Sequence, residues 1–199
     1  MITPEFVILF LSFSIPLVCT PGPGNLILAM SGARWGVRQT IPLIVGIDIT
    51  YIICSLLIGL GLGEIFNAWP LAYTLLKYAG GGYLVYLARK IWMLRAKTGD
   101  SAPSAMGLKD GVILTLLNPK AHVLMILMFS QFMTPGSHVF SQVVILTLAL
   151  ALVNIPNHFA WGYMGEMAVR RMAAGKNERT VNGIFALMLI GVAVYILAG

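Results

Sequence analysis

Apolar residues run through this chain in long stretches separated by short polar punctuation, and the lengths of those stretches are the first signal. A helix needs about 20 apolar residues to cross the roughly 30 Å hydrocarbon core of a bilayer. Six runs are near that length, at about 6–30, 40–63, 69–93, 109–133, 139–165 and 181–198. Two of them are interrupted. Thr20-Pro21-Gly22-Pro23-Gly24-Asn25 falls inside the first, and Asn118-Pro119-Lys120 falls inside the fourth. Proline removes a backbone donor and clashes with the preceding turn, and glycine is a poor helix former. In hydrocarbon, freed backbone groups are tolerated only where they are buried in protein or line a wet cavity. Thr20 before Pro21, and Asn118 before Pro119, each read as an N-cap followed by a first helical position. The pattern predicts two broken helices, whose second halves open at Thr20 and Asn118 with free N–H groups pointing into the protein.

Composition agrees with the run lengths. The 199 residues are 58% hydrophobic and 10% charged, with mean hydropathy +0.87, whereas a soluble domain is about 25% charged. The expected fold is all-α: a polytopic membrane helical bundle of six transmembrane helices, with helices 1 and 4 broken. A net charge of +6 and a pI near 9.6 would suggest nucleic acid in a soluble protein. Here eleven of the thirteen basic residues fall in the first, third and fifth loops, from Arg34 and Arg38 to Arg170, Arg171, Lys176 and Arg179. The positive-inside rule makes that side cytoplasmic and puts both termini outside. These charges are read as solvated loops, with no nucleic-acid partner. Cys19 and Cys54 lie within spans and read as core thiols. The first span lacks a basic leading region and is expected to be retained rather than cleaved.

The longest polar loop, Arg95 to Met106, divides the chain into repeat one (1–94), a cytoplasmic linker (95–107) and repeat two (108–199), within one membrane domain. Three spans per half invert the second half relative to the first. The breaks fall in the first helix of each half, as in inverted-repeat transporters. Gly59 and Gly63 have the spacing of close helix packing, which is compatible with a homodimer. Asn154-Ile155-Pro156-Asn157-His158 in span five reads as a kink, its freed carbonyl served by Asn154 or a water.

Asp48, Lys77 and Lys120 carry formal charge within spans, where such residues are functional candidates by default. Lys77 lies near the start of its span and reads as a snorkelling side chain. Asp48 lies roughly 13 Å into its span and Lys120 roughly 16 Å, at about 1.5 Å per residue. Both are close to the midplane and to the breaks. The bland alternative is a structural Asp48–Lys120 ion pair.

Four stretches together carry a family resemblance: Thr20 to Asn25; Gly46-Ile47-Asp48; Gly82-Tyr83-Leu84-Val85-Tyr86-Leu87; and Leu116-Leu117-Asn118-Pro119-Lys120-Ala121 with Gln131-Phe132. The chain resembles the lysine-exporter/threonine-efflux (LysE/RhtB) family of small bacterial amino-acid exporters along its whole length. The resemblance implies export of a small amino acid or similar zwitterion across the bacterial inner membrane, driven by the proton-motive force. The residues suit such a substrate. Thr20, Pro21, Gly22, Pro23, Gly24 and Asn25, with Asn118 and Pro119, offer half-helix N-termini to a carboxylate, and Lys120 adds a full positive charge. Asp48 is placed to meet the ammonium or carry a proton. Tyr83, Tyr86, Asn154 and His158 are further lining candidates.

Three other classes compete. A metal or inorganic-ion exporter would want Cys or His at the breaks, where only Cys19 is adjacent. An intramembrane enzyme would need a nucleophile with an oriented base, or grouped metal ligands; His122, His138 and His158 are scattered, and neither HExxH nor CxxC occurs. A scaffold subunit has no need of broken helices. No cofactor and no metal are expected.

Overall fold

The structure is a computed structural model that describes residues 3–62, 75, 78–79, 82–86, 88–89, 105–134, 138–172 and 178–198. Among these residues every regular element is helical. In chain order they are α1 (Pro4–Cys19), α2 (Pro23–Trp35), α3 (Val37–Leu57) with a π-helical end at Ile58–Leu62, α4 (Leu108–Leu116), α5 (Pro119–Phe132), α6 (Val139–Met172) and α7 (Glu178–Ala198). Most of the third span, Lys77 and the linker from 95 to 104 lie outside the described residues.

Both expected breaks are present. The axes of α1 and α2 are bent by 59°, and those of α4 and α5 by 63°. At about 1.5 Å per residue, the 16 residues of α1 and 13 of α2 reach roughly 24 and 20 Å, so neither crosses the core of a bilayer alone. Val37–Gly61 and Val139–Ala168 are each long and apolar enough to cross unaided, giving four spans if each bent pair counts as one. The protein is a multi-pass helical membrane protein.

Several boundaries differ from the sequence reading. The first break lies two residues later than expected: Gly22 is the N-cap of α2 and Pro23 its first-turn proline, while Thr20 closes α1 as its C-cap. The reason is local, since the Thr20 hydroxyl donates back to the carbonyl of Leu17 at 2.7 Å and so finishes α1. Asn118 does cap α5, with Pro119 in its first turn. Helix α3 begins at Val37, ahead of the apolar run expected from about residue 40, because α6 supplies its first donor with a partner. Gly36 adopts φ +80°, the left-handed region open to glycine, and the Val37 N–H donates to Glu166 Oε2 at 2.8 Å. Helix α6 continues through Pro156 to Met172.

Helix α2 sits at the centre. From Pro23 to Gly32 every residue except Gly24 is buried, as expected of a helix apolar on all sides and enclosed by protein. It packs against α6, α3 and α7, and α3 packs in turn against α4 and α6. Glycine sets the closest approaches. A methyl at Gly32 would run into the Gly162 carbonyl, and one at Gly165 into the Ala29 carbonyl; Gly46 meets the Leu108 backbone, and Gly111 that of Leu43. Two apolar clusters result. One joins α2, α3 and α4 through Leu26, Leu43 and Leu114, and the other joins α1, α5 and α6 through Val18, Leu124 and Leu150. The breaks fall between them.

Candidate functional site

Ending α1 at Thr20 strands backbone carbonyls that a continuous helix would use. Side chains take them over. Asn25 Nδ2 donates to the carbonyls of Val18 at 2.8 Å and Thr20 at 3.0 Å. Asn157 of α6 donates to Asn25 Oδ1 at 3.2 Å and to the Val18 carbonyl at 3.4 Å. The first break is thus held open by a buried amide network reaching from α2 into α6.

The second break is joined to the first. Lys120 Nζ donates to the Thr20 carbonyl at 2.8 Å and to its hydroxyl at 2.9 Å. Gly22 makes room for it, because a Cβ there would lie 2.9 Å from Lys120 Cδ. At the cap of α5, the Asn118 carbonyl accepts from the Ala121 N–H at 3.1 Å and engages His122 Nδ1 at 2.9 Å. Neither Gly22 nor Asn118 makes a side-chain cap bond to its own helix. The first-turn N–H groups of both half-helices are left without that ordinary partner.

Between the breaks lies a cavity of about 40 Å³, room for roughly three waters at 10–15 Å³ each. Its walls combine polar groups from five helices (Asn25, Tyr51, Thr115, Asn118, Lys120, Asn154 and His158) with an apolar side formed by Leu17, Val18, Ile47, Leu114, Ala121 and Leu124. Two buried polar atoms on these walls, Asn118 Oδ1 and Asn154 Nδ2, have no hydrogen-bond partner. Buried polar groups are nearly always paired, so an unpaired acceptor and donor on two residues that line one cavity mark a place for a polar guest.

Asp48 lies behind this wall. It is buried, and it lines a second space of about 10 Å³ together with Tyr51, Ser55, Thr147 and Asn154. Its carboxylate Oδ1 is 2.7 Å from His158 Nδ1. The Asp48–Lys120 pair weighed from the sequence is therefore replaced by an Asp48–His158 pair, with Lys120 turned to Thr20. Asn154 does not serve the carbonyl freed by Pro156 either, since its amide nitrogen is unpartnered.

The structure brings Gly22, Gly24, Asn25, Asn118, Lys120, Asn154 and His158 to the cavity. Thr20 holds Lys120, and Pro23 and Pro119 start the half-helices, while Pro21 is exposed between α1 and α2. Tyr83 and Tyr86 are elsewhere: their rings stack on each other at 6.1 Å, and neither lines the cavity. Of the two thiols, Cys54 is buried, whereas Cys19 is exposed. Tyr51 and Asn157 were missed. The signal for both was spacing. Tyr51 follows Asp48 by three residues, and Asn154, Asn157 and His158 stand at i, i+3 and i+4, each set on one helical face.

Two broken membrane helices meeting at an incompletely satisfied polar site define a translocator. The chain belongs to the LysE type translocator family, whose model matches residues 15–199; it is a transporter and not an enzyme. It is 27% identical over 194 residues, 98% of both chains, to a cysteine/O-acetylserine efflux protein of Salmonella typhimurium. It is likewise 27% identical over 197 residues, again 98% of both chains, to the protein of that name in Escherichia coli K12. An uncharacterized membrane protein of Vibrio cholerae is 27% identical over 176 residues, 86% of each chain. No solved structure matches the chain.

Proposed function

We propose that this protein exports small, uncharged-side-chain amino acids, in the class of cysteine and O-acetylserine, across the bacterial inner membrane at the expense of the proton-motive force. The observation that carries the reading is the Lys120 ammonium bridging both helix breaks beside a cavity with two orphaned polar atoms. An incoming carboxylate takes Lys120 from Thr20 as a charge-assisted partner and finds first-turn N–H groups and positive helix ends from α2 and α5. Asn118 and Asn154 then satisfy the polar remainder. The near full-length relatives named for cysteine and O-acetylserine efflux support the size and polarity of this guest. Among the described residues no three His, Cys, Asp or Glu side chains gather at one point.

Six spans in two inverted repeats fit the matched bends of α1–α2 and α4–α5. With the basic loops cytoplasmic and both termini outside, the glycine contacts of α2 with α6 and of α3 with α4 fall in the cytoplasmic half. That half is the closed one here, and export requires these contacts to part. The buried Asp48–His158 pair supplies a proton site beside the substrate. The test is a panel of radiolabelled amino acids loaded into vesicles containing the purified protein, scored for efflux with and without a pH gradient. Efflux of small neutral amino acids, accelerated by the gradient, is expected; failure of every amino acid to move overturns the proposal.

A further inference from the structure

From the cavity wall we infer that His158, not Asp48, both receives the substrate ammonium and carries the coupled proton, so that the two compete for one nitrogen atom. This rests on the export reading above and assigns its coupling chemistry. Three observations carry it. His158 lines the substrate cavity, whereas Asp48 does not and lines the smaller space behind it. The Asp48 carboxylate lies 2.7 Å from His158 Nδ1. Both residues are buried, with 8% and 5% of their surfaces exposed, so the carboxylate meets the cavity through the imidazole rather than directly.

The proton count follows from the donors and acceptors available. An ionised carboxylate only accepts, so Nδ1 must carry the hydrogen of that bond, and the lone pair of the neutral ring is then on Nε2. In this state the pair has a net charge of −1, and Nε2 is an acceptor suited to a substrate ammonium. When a proton binds Nε2, the pair becomes neutral overall and the nitrogen becomes a donor, with no lone pair left for the ammonium. One proton in displaces one ammonium. Asp48 is then a positioning residue: it fixes the ring and its tautomer, as a carboxylate behind a histidine does in other proton-transfer sites.

The surrounding groups are consistent with this division. Lys120 and Tyr51 share the cavity wall with His158. Cys54 lies on the helix of Asp48, Cys19 ends α1, and His122 on α5 is engaged with the Asn118 carbonyl. Lys120 attracts the carboxylate end of the guest and would repel its ammonium. The two ends of a zwitterion are thereby assigned to opposite sides of the cavity, carboxylate to Lys120 and ammonium to His158.

The experiment is substrate counterflow in proteoliposomes with equal internal and external pH, the apparent affinity being read from pH 5.5 to 8.5. O-acetylserine, and in parallel cysteine under reducing conditions, are the probes. The wild type should lose affinity on acidification by up to about tenfold per pH unit, as one-for-one competition requires. His158→Gln should bind more weakly and with an affinity that no longer varies with pH. Asp48→Asn should keep a pH-dependent affinity with a displaced midpoint, because the proton-binding nitrogen remains. A flat profile in Asp48→Asn would make the carboxylate the carrier and overturn the assignment. So would pH-dependent affinity in His158→Gln, or a flat profile in a wild type that exchanges substrate. Absence of exchange at every pH in the wild type would instead refute the export reading itself.

Discussion

Gly32 of α2 lies against Gly162 of α6 so closely that a methyl group on Gly32 would overlap the Gly162 carbonyl, yet a methyl on Gly162 would meet Val37 Cγ2 at 3.7 Å and the Leu28 carbonyl oxygen at 3.9 Å, both ordinary contacts. The contact is therefore one-sided. Gly32→Ala must push backbone away from backbone and is expected to cost roughly 1–3 kcal/mol and to impair transport. Gly162→Ala enters ordinary van der Waals space and gains up to about 1 kcal/mol of helix propensity. Thermal unfolding of the two variants in one detergent checks the ordering; equal stability of both would contradict this packing.

Lys120 provides the second prediction. Lys120→Met should reduce efflux of any carboxylate substrate at least tenfold, and Lys120→Arg should retain part of it. Gly22→Ala is the more searching variant. Its new Cβ would lie 2.9 Å from Lys120 Cδ, and the flexible lysine can yield where backbone cannot. The protein should keep its melting temperature and lose transport, because Lys120 is displaced from Thr20. Normal efflux by Gly22→Ala would show that the bridge between the breaks is dispensable.

Much of this arrangement was legible because bilayers constrain sequence severely. Prolines and glycines inside apolar runs have few structural meanings in hydrocarbon, so the breaks near Thr20 and at Asn118 could be placed within two residues. What the linear pattern could not supply was the partner of each charge. Depth along a helix put Asp48 and Lys120 at one level and suggested that they pair. Azimuth decides otherwise: Asp48 finds His158 of α6, and Lys120 turns to Thr20. The i, i+3, i+4 set Asn154, Asn157 and His158 was present in the sequence, but Pro156 in its midst drew the reading toward a kink. Tyr83 and Tyr86, attractive as a motif, stack on each other away from the site.

Orientation gives a third prediction. With the basic loops cytoplasmic, an epitope at either terminus should label on intact cells, and one between Lys97 and Met106 only after permeabilisation. Labelling of that loop from outside would reverse the assignment of the glycine-sealed half to the cytoplasmic face.

The Asp48–His158 contact allows the last prediction to be made as a pair of thermodynamic cycles. Asp48→Ala leaves the buried imidazole without its acceptor, and His158→Ala leaves the buried carboxylate without its donor. Each should be destabilising, by about 3–5 kcal/mol if the remaining group stays charged. The double variant removes both groups and should recover part of that loss. This corresponds to a coupling energy of about 0.5–3 kcal/mol, the range for residues in direct contact. The same cycle between Asp48→Ala and Lys120→Ala should be additive within about 0.3–0.5 kcal/mol, because Lys120 bonds Thr20 and not the carboxylate. Melting curves for the five variants and the wild type, recorded under one set of conditions, decide between the two pairings. Strong coupling of Asp48 to Lys120, with none to His158, would restore the ion pair that sequence depth alone suggested and remove the basis for a proton site at His158.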